Sequence, residues 1–485
     1  MKQMIAVGFD VASRSWLTEA PGRAGAGLPR LDGALRIDEQ SLAEAGEDFG
    51  NLRRTHPLAV LEPGSEKDAV RMIRFARQHG LKIGPRGQGH TAFGQSQVEG
   101  GIVIRMTALQ AAPVFGPEQV EVSAGMSWRQ VLTASLAHGL RPPVLTHNLS
   151  LSVGGTLSVG GIDGGSYRYG AQVDNVLALT VVTGEGKVET CSLDQLPELF
   201  EAVLAGQGQC GIILRAVLRL IPAQTHTLFF QLLYPDLPTM LNDERMLIAD
   251  GRFDKISVHI LPSAAGGWTY FAQARRDFTP PALPDKEVLL TGLHHVRGFE
   301  RMASQTYLES ADRGAKHFAE LTASGRVAHP HPWFDMFVPD STLDEYAAEI
   351  FSILKPSEIT SDFPIEFYGF NTAVCRRPLF RVPEEPVAFL NDVMITVPDP
   401  EAAVRMYERN RRFFERARQL GGKHYPIGAI PLSPEDWQKH FDPYWEQFAS
   451  AKRRFDPDRI LAPGAGIFQE GPRPAPAGDP NPESC

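Results

Sequence analysis

A glycine-rich stretch at residues 84–95 (GPRGQGHTAFGQ) is the first part of the chain whose residue types could do chemistry. Its glycines free the backbone to adopt positive φ angles and to come close to a ligand. Successive N–H groups in such a loop can form a concave site for an anion. No GK[ST] pair and no clear following helix is present, which excludes a Walker A loop and a Rossmann fingerprint. His90 lies inside this stretch, where an imidazole could reach the ligand; a plain tight turn is the alternative.

Two further stretches share this composition. Residues 152–166 (SVGGTLSVGGIDGGS) carry six glycines in fifteen positions, interleaved with hydroxyl groups that can donate to phosphate oxygens. We expect that density to be too high for a buried regular element. A shorter stretch follows at residues 206–213 (GQGQCGII). Three separate glycine-rich bends in one region indicate an extended ligand that contains a diphosphate and is contacted by backbone along its length.

Length and composition narrow the class of protein. The 485 residues have a net charge of −9 and 43% hydrophobic content, which predicts a soluble globular chain of two or three domains. The acidity argues against a nucleic-acid partner, and no apolar run approaches the roughly 20 residues that span a bilayer. Cys191, Cys210, Cys375 and Cys485 form no CxxC or Cys/His cluster, so neither a metal site nor a disulfide framework is predicted. The start lacks the pattern of a secretory signal, and we expect a cytoplasmic protein.

The elements that must position these bends follow from hydrophobic periodicity. A strand at residues 58–61, a helix from Ser65 to Gly80 with Asp68 in a capping-box position, and a strand from residue 81 predict a βαβ-like unit. Short strands, two helices and many turns follow up to about residue 222. Sheet strands and helices then alternate, and a helix over residues 401–420 carries an arginine-rich face that we expect to be solvated. The first 50 residues read as a loose lead-in, and the proline-rich residues 471–485 as a disordered tail.

A series of short motifs resembles, in the same order, those of cytokinin dehydrogenases, which belong to the vanillyl-alcohol-oxidase/p-cresol-methylhydroxylase (PCMH-type) class of FAD enzymes. Residues 86–91 (RGQGHT) with Gln95 resemble a GRGHS…GQ loop, and residues 152–158 resemble TVGGTLS. Further matching segments are 172–176, 181–184, 198–200, 206–215, 331–333, 337–339 and 455–464. The likeness is strong over about residues 55–222 and lies in patches over 329–468.

The resemblance implies an α+β, two-domain PCMH-type FAD-binding fold. An FAD-binding domain at residues 51–225 would be completed by a returning segment at 426–470, and a substrate-binding cap domain at 226–425 would be built on an antiparallel sheet. FAD would be bonded covalently through His90, and only once, because Asn148 holds the place where some related flavoenzymes have a second linking Cys. The other FAD contacts implied are Arg86, Gly87, Gln88, Gly89, Thr91, Gln95, Ser152, Ser158, Ile162, Ile213 and Tyr425.

Three departures from the family pattern affect the chemistry. Where the family has a TDYL segment whose Asp accepts a proton from the substrate amine, this chain has residues 146–149 (THNL), so His147 replaces the Asp. A neutral imidazole can serve as a general base near pH 7, and it suits a hydroxyl proton at least as well as an amine proton. A packing role for His147 is the alternative. Gln88 replaces a second arginine of the loop, and Ala465 replaces the glutamine that closes the last motif.

The predicted function is an FAD-dependent oxidoreductase that abstracts a hydride from a C–H next to N or O of a small, partly apolar substrate. His147 is the candidate catalytic base, with Asp163 and Asp174 as less favoured ones. Oxygen or a quinone would accept the electrons, since no nicotinamide fingerprint is visible. Cytokinin-type amine oxidation is one version; oxidation of an alcohol in a secondary metabolite or sugar is the alternative. A flavin-binding protein without turnover, and a scaffold with empty glycine loops, are the remaining hypotheses.

Overall fold

The structure is a computed structural model that describes residues 6–18, 26–360 and 362–468. The tail expected at residues 471–485, including Cys485, lies outside this range. Up to residue 222 the strands are β1 Gly8–Asp10, β2 Ser15–Leu17, β3 Ala26–Gly27, β4 Ala34–Arg36, β5 Ala59–Glu62, β6 Ile83–Arg86, β7 Ile102–Arg105, β8 Val114–Gly116, β9 Gln119–Ser123, β10 Leu140–Arg141, β11 Val176–Val182, β12 Val188–Ser192, β13 Ile212–Arg219 and β14 Ile221–Pro222. The helices are α1 Glu39–Ala45, α2 Glu66–Gln78, α3 Trp128–Leu136, α4 Val153–Leu157, α5 Ser166–Tyr169 and α6 Pro197–Val203.

The second part of the chain is built on longer strands. These are β15 His226–Tyr234, β16 Lys255–Pro262, β17 Trp268–Phe278, β18 Arg301–Thr306, β19 Phe334–Pro339, β20 Ile365–Asn371, β21 Val387–Val393 and β22 Lys423–His424. The helices are α7 Leu237–Asp250, α8 Lys286–Leu290, α9 Tyr307–Ala311, α10 Arg313–Ala323, α11 Asp340–Ile353, α12 Pro400–Gln419, α13 Pro434–Phe441 and α14 Trp445–Phe455.

The first sheet has the strand order β4-β5-β7-β6, in which β7 runs parallel to both β5 and β6. Helix α2 connects β5 to β6, so the predicted βαβ unit is present, with β7 inserted between its strands. The predicted cap differs: Ser65 makes no side-chain cap, and the Asp68 carboxylate instead accepts the N–H groups of Asp32, Gly33 and Gly64. The expected loose lead-in contains β1–β3 and α1, and its β4 pairs with β5.

A five-stranded antiparallel sheet, in the order β12-β11-β13-β9-β8, forms the second layer of the N-terminal half. Its inward-facing side chains pack against α3, α4 and α6 in a core that includes the fully buried Trp128 and Phe200. The same core continues into Phe337, Phe370 and Tyr425 of the second half. The five-stranded sheet and the second half of the chain therefore share one core.

An eight-stranded antiparallel sheet, in the order β18-β15-β17-β16-β20-β21-β19-β22, carries the second half. Helices α7, α11 and α12 contribute the buried Leu241, Tyr346 and Phe413 to the core on this sheet. On α12, Arg405 and Arg412 are exposed as expected, whereas Arg409 is 5% exposed and lies beside Glu358. The α+β fold with a cap on an antiparallel sheet, expected from the sequence, is confirmed.

The last described segment returns to the N-terminal half. Ile83 of β6 donates its N–H to the carbonyl of Ile460, and its carbonyl accepts the N–H of Ala462, each at 2.8 Å. The buried Lys452 of α14 donates to the carbonyl of Gln209 at 2.8 Å and to Asp456 Oδ2 at 2.7 Å. This network fixes the glycine-rich bend at 206–213 to the C-terminal segment.

Candidate flavin-binding site

The three glycine-rich bends line one cavity between the N-terminal half and the eight-stranded sheet. Every residue expected to contact the cofactor lies on its wall: Arg86, Gly87, Gln88, Gly89, His90, Thr91, Gln95, Ser152, Ser158, Ile162, Ile213 and Tyr425. The candidate base His147 lies there as well. The sequence therefore named residues that the fold brings together from four separate parts of the chain.

The first two bends touch each other through a glycine. A Cβ placed on Gly87 would lie 2.1 Å from Ser152 Oγ, so a larger residue there requires the hydroxyl to turn away or the two bends to part. The third bend is also close, because a Cβ on Gly208 would lie 3.4 Å from both Pro85 and Ala462. Gly208 has a φ of +71°, which favours glycine in its own right. The three bends are thus in close contact at glycine positions.

The loop at 84–95 is held from behind by residues 48–50. The N–H groups of Phe49 and Gly50 donate to the carbonyls of Gly89 and Thr91, so these carbonyls do not face the cavity. Asp48 Oδ2 accepts from the Thr91 hydroxyl at 2.8 Å and from the N–H of Gly94 at 2.6 Å. Burial raises the pKa of Asp48 to about 6, although these donors oppose the rise.

The second and third bends are tied together by backbone. Ala205 and Gln207 donate their N–H groups to the carbonyls of Leu157 and Ser158, each at 2.9 Å. Residues 153–157 form the short helix α4, although the glycine density had suggested no regular element there. The helix is accommodated because Gly154 packs against the carbonyl of Ala124 and donates its N–H to it at 2.8 Å.

His90 lies at an aromatic end of the cavity. Its ring centroid is 4.2 Å from that of Phe49, 4.9 Å from Phe318 and 5.8 Å from Trp333. Burial, with a smaller contribution from His331, lowers the pKa of His90 to about 4. The imidazole is therefore neutral at physiological pH, as a nitrogen nucleophile must be.

His147 lies on the loop between β10 and α4, opposite the eight-stranded sheet. Its carbonyl is packed against Gly314, where an added Cβ would lie 2.0 Å from the oxygen. Its Nδ1 is 3.9 Å from Glu366 Oε2, and the 40% of its side chain that is accessible borders the cavity, so the ring is still surrounded by protein. Burial, and then the charge of Arg275, lowers the pKa of His147 to about 4. His147 is thus a neutral imidazole that can accept a proton.

A row of acidic side chains on the cap sheet reaches the cavity, and the sequence analysis missed it. Asp335, Asp392, Glu366 and His259 are direct cross-strand partners on β19, β21, β20 and β16, and each is at most 6% exposed. Glu366 and Asp392 line the cavity together with Tyr368. Burial raises the pKa of Glu366 to about 8 and that of Asp335 to about 7, and the pKa of Asp392 lies well above its ordinary range. The sequence feature that could have indicated this row is Glu366, a charged residue inside the otherwise apolar run IEFYGF.

The two alternative bases have structural roles. Asp163 is ion-paired with Lys255 and accepts the N–H of Gly165 at 2.8 Å. Asp174 accepts the N–H groups of Ala171 and Arg376. Neither is among the described residues that line the cavity. Their carboxylates are thus engaged in structural contacts away from the wall on which His147 lies.

The described residues fit an FAD molecule. Glycine backbone lines the cavity at all three bends, the hydroxyls of Thr91, Ser152 and Ser158 line it as well, and a neutral imidazole lies at its aromatic end. Within the same described residues, no group of three or more His, Cys, Asp or Glu side chains could hold a metal ion. No helix among them is long and apolar enough to cross a bilayer.

Two family models match parts of this chain. Residues 57–192 match a model described as an FAD binding domain, and residues 268–468 match one described as "Cytokinin dehydrogenase 1, FAD and cytokinin binding". The chain is thus an FAD-linked oxidoreductase by class.

Full-length relatives define the family. Cytokinin dehydrogenases 9 and 4 of Oryza sativa subsp. japonica are each 34% identical, with alignments covering 91% and 93% of both chains. An uncharacterized oxidoreductase, ORF5 in the fasciation locus of Rhodococcoides fascians, is 35% identical over 90% of this chain and 99% of its own. The chain belongs to the cytokinin dehydrogenase family, and the expected resemblance is confirmed.

Proposed function

We propose that this protein is an FAD-dependent oxidoreductase that abstracts a hydride from a C–H next to N or O of a small, partly apolar substrate. The observation that carries the proposal is the meeting of three glycine-rich bends, His90 and His147 on the wall of one cavity. The N-terminal half and the segment 426–470 would hold FAD, and residues 226–425 would cover the substrate. The domain limits at 225/226 and 425/426 are part of this proposal.

Bound FAD would supply the acceptance of a hydride, while the protein supplies position and electrostatics. The backbone N–H groups of the bends and the Ser152 hydroxyl would hold the diphosphate and ribityl parts, since the Thr91 and Ser158 hydroxyls already donate to Asp48 and to the carbonyl of Gly154. His90 would be bonded to the flavin C8-methyl carbon, with Asn148 leaving this as the single attachment. Forming that bond removes the imidazole proton, one methyl proton and two electrons, and oxygen or a quinone would take the electrons.

His147 would remove the second hydrogen of the substrate as a proton. Its neutral ring lies on the cavity wall, and a histidine base contributes about 10²–10⁴-fold to the rate. An imidazole takes a proton from O–H as readily as from N–H, and for this reason alcohol oxidation stands beside amine oxidation as the second candidate.

Anaerobic mixing with N6-isopentenyladenine tests the amine version. If it is correct, the flavin absorbance bleaches, and His147→Ala slows bleaching about 10²–10⁴-fold with FAD content unchanged. Bleaching by primary or secondary alcohols but not by the amine would select the alcohol version. A yellow protein that no candidate of either class reduces would favour a binding protein without turnover, and equal rates in His147→Ala would exclude His147 from the mechanism.

The covalent attachment is tested separately by acid precipitation. Flavin should stay with the wild-type chain in the pellet and pass to the supernatant in His90→Ala. Far-ultraviolet circular dichroism should show that the variant is folded, because His90 lies on a loop. Complete loss of flavin from the wild-type chain in acid would disprove the attachment.

A further inference from the structure

Glu366 has a buried carboxyl group that lines the cavity. One of its two oxygens has no hydrogen-bond partner among the described residues. Its Oε1 lies 3.4 Å from His259 Nδ1, and the other ring nitrogen of His259 shares a hydrogen bond of 2.8 Å with Ser257 Oγ. Its Oε2 has no hydrogen-bond partner within the part of the chain that the structure describes, and this oxygen lies 3.9 Å from His147 Nδ1. Buried polar atoms in folded proteins are nearly always paired, so an orphan oxygen beside a candidate base requires an explanation.

We propose that Glu366 is a positioning residue that sets the tautomer of His147, and thereby decides whether His147 can act as the base of the proposed reaction. The ionised carboxylate accepts the proton on Nδ1 and leaves the lone pair of Nε2 free. The substrate proton then moves to Nε2, and the imidazolium formed is stabilised by the carboxylate. The protonated carboxyl instead donates to Nδ1, which places the ring proton on Nε2 and blocks that transfer. This inference rests on the proposed function.

The distance of 3.9 Å between the two side chains is longer than a hydrogen bond, and it joins a loop to a strand. Hydrogen bonds of catalytic groups are often long before the substrate binds, and they shorten in the reactive complex. Gly314 packs on the His147 carbonyl and β20 fixes Glu366 in the sheet, so both backbones are held and the gap is to be closed by rotation of the two side chains.

Charged and titratable groups surround Glu366 on every side. Those that face it are Asp392 on β21, Asp335 on β19, His259 on β16, Arg275 on β17 and His147 on the facing loop, with Tyr368 two residues along β20. The pKa of His147 is also influenced by the charges of Asp163, Lys255 and Arg313.

Burial raises the pKa of Glu366 to about 8; Arg275 opposes the rise and Asp335 adds to it. The pKa of His147 is lowered to about 4, so His147 stays neutral throughout the titration of Glu366. The change near pH 8 is therefore one of tautomer and not of charge on the histidine. The fraction of His147 whose Nε2 is unprotonated, and which can therefore act as the base, increases as the pH rises through 8.

Nitrogen NMR of the FAD-loaded protein with ¹⁵N-labelled histidine tests the proposal without any substrate. The His147 signals among the 14 histidines are identified by their loss in His147→Gln. We expect Nδ1 to be unprotonated well below pH 8 and protonated well above it, with Nε2 changing in the opposite sense. Glu366→Gln should remove the transition, because its amide does not titrate.

Glu244→Gln is the matched control. Glu244 is also buried with its pKa raised to about 8, but it accepts the N–H of Gly369 at 3.0 Å and is not among the described residues of the cavity wall. This variant should keep the transition. A transition that persists in Glu366→Gln overturns the proposal, and so does its absence in the wild type, which is informative even if the variant does not fold.

The readout separates this inference from the proposed function, since failure to bleach the flavin leaves the tautomer measurement unaffected. With any substrate that does bleach it, flavin reduction should rise about tenfold per pH unit up to about pH 8 in the wild type. The rate should be independent of pH in Glu366→Gln. A rate of flavin reduction that still rises with pH in Glu366→Gln contradicts the proposal as well.

Discussion

Replacing Gly87 with alanine tests whether the bends hold FAD at their point of contact. The new Cβ would lie 2.1 Å from Ser152 Oγ and 3.4 Å from Ser152 Cβ. Only the hydroxyl is in the way, since 3.4 Å is an ordinary contact. Overpacking of this kind costs about 1–3 kcal/mol, which corresponds to about 5-fold to 150-fold weaker FAD binding if the bends part to relieve it.

The affinity is measured by fluorescence titration of FAD in the His90→Ala background, where the proposed covalent bond cannot mask it. Gly27→Ala is the matched control, because nothing lies within 4 Å of a Cβ at that position. Ser152→Ala should lose some affinity through its hydroxyl, but Gly87→Ala on top of it should cost little more. This non-additive result is expected of residues in contact.

The reasoning fails if Gly87→Ala binds FAD as tightly as Gly27→Ala does. It fails equally if the losses from Gly87→Ala and Ser152→Ala simply add. In either case the contact between the first two bends would have no part in holding the cofactor.

Two other predictions concern the packing behind the site. The folded state raises the pKa of Glu244 from 4.5 to about 8, so its stabilising effect is complete below pH 4.5 and is lost as the pH rises through 8. Relative to Glu244→Gln, the wild type should lose up to about 5 kcal/mol of unfolding free energy over that window. If the urea midpoints of the two proteins differ by the same amount at pH 5 and at pH 9, this prediction is wrong. Lys452→Met removes the donor to Gln209 and Asp456 and should cost about 3–5 kcal/mol and loosen FAD, whereas an unchanged urea midpoint and FAD affinity would show that the network is dispensable.

Local patterns in the sequence predicted local structure well. Helix α2 follows from the apolar spacing of Ala69, Ile73 and Ala76, and each is buried as that spacing requires. The predicted N-terminal cap of the same helix was wrong. The Asp68 carboxylate accepts backbone N–H groups 35 and 36 residues earlier in the chain, and no local sequence pattern reveals such a contact. Motif resemblance, not periodicity, supplied the residues of the cavity wall.

The acidic row could not be predicted because it depends on strand pairing. Asp335, Glu366 and Asp392 are separated by 26 to 57 positions, and only the register of β19, β20 and β21 makes them neighbours. A charged residue in a strand that is otherwise apolar is the signal that would have directed attention to Glu366.

Mass spectrometry of tryptic peptides from the purified protein tests the central claim most directly. Cleavage after Arg86 and Arg105 releases residues 87–105, which contain His90 and most of the first bend. We predict that this peptide is yellow and heavier by the mass of one flavin. A protein that carries no flavin and takes up none from added FAD, or flavin attached to a peptide remote from the cavity, would contradict the account.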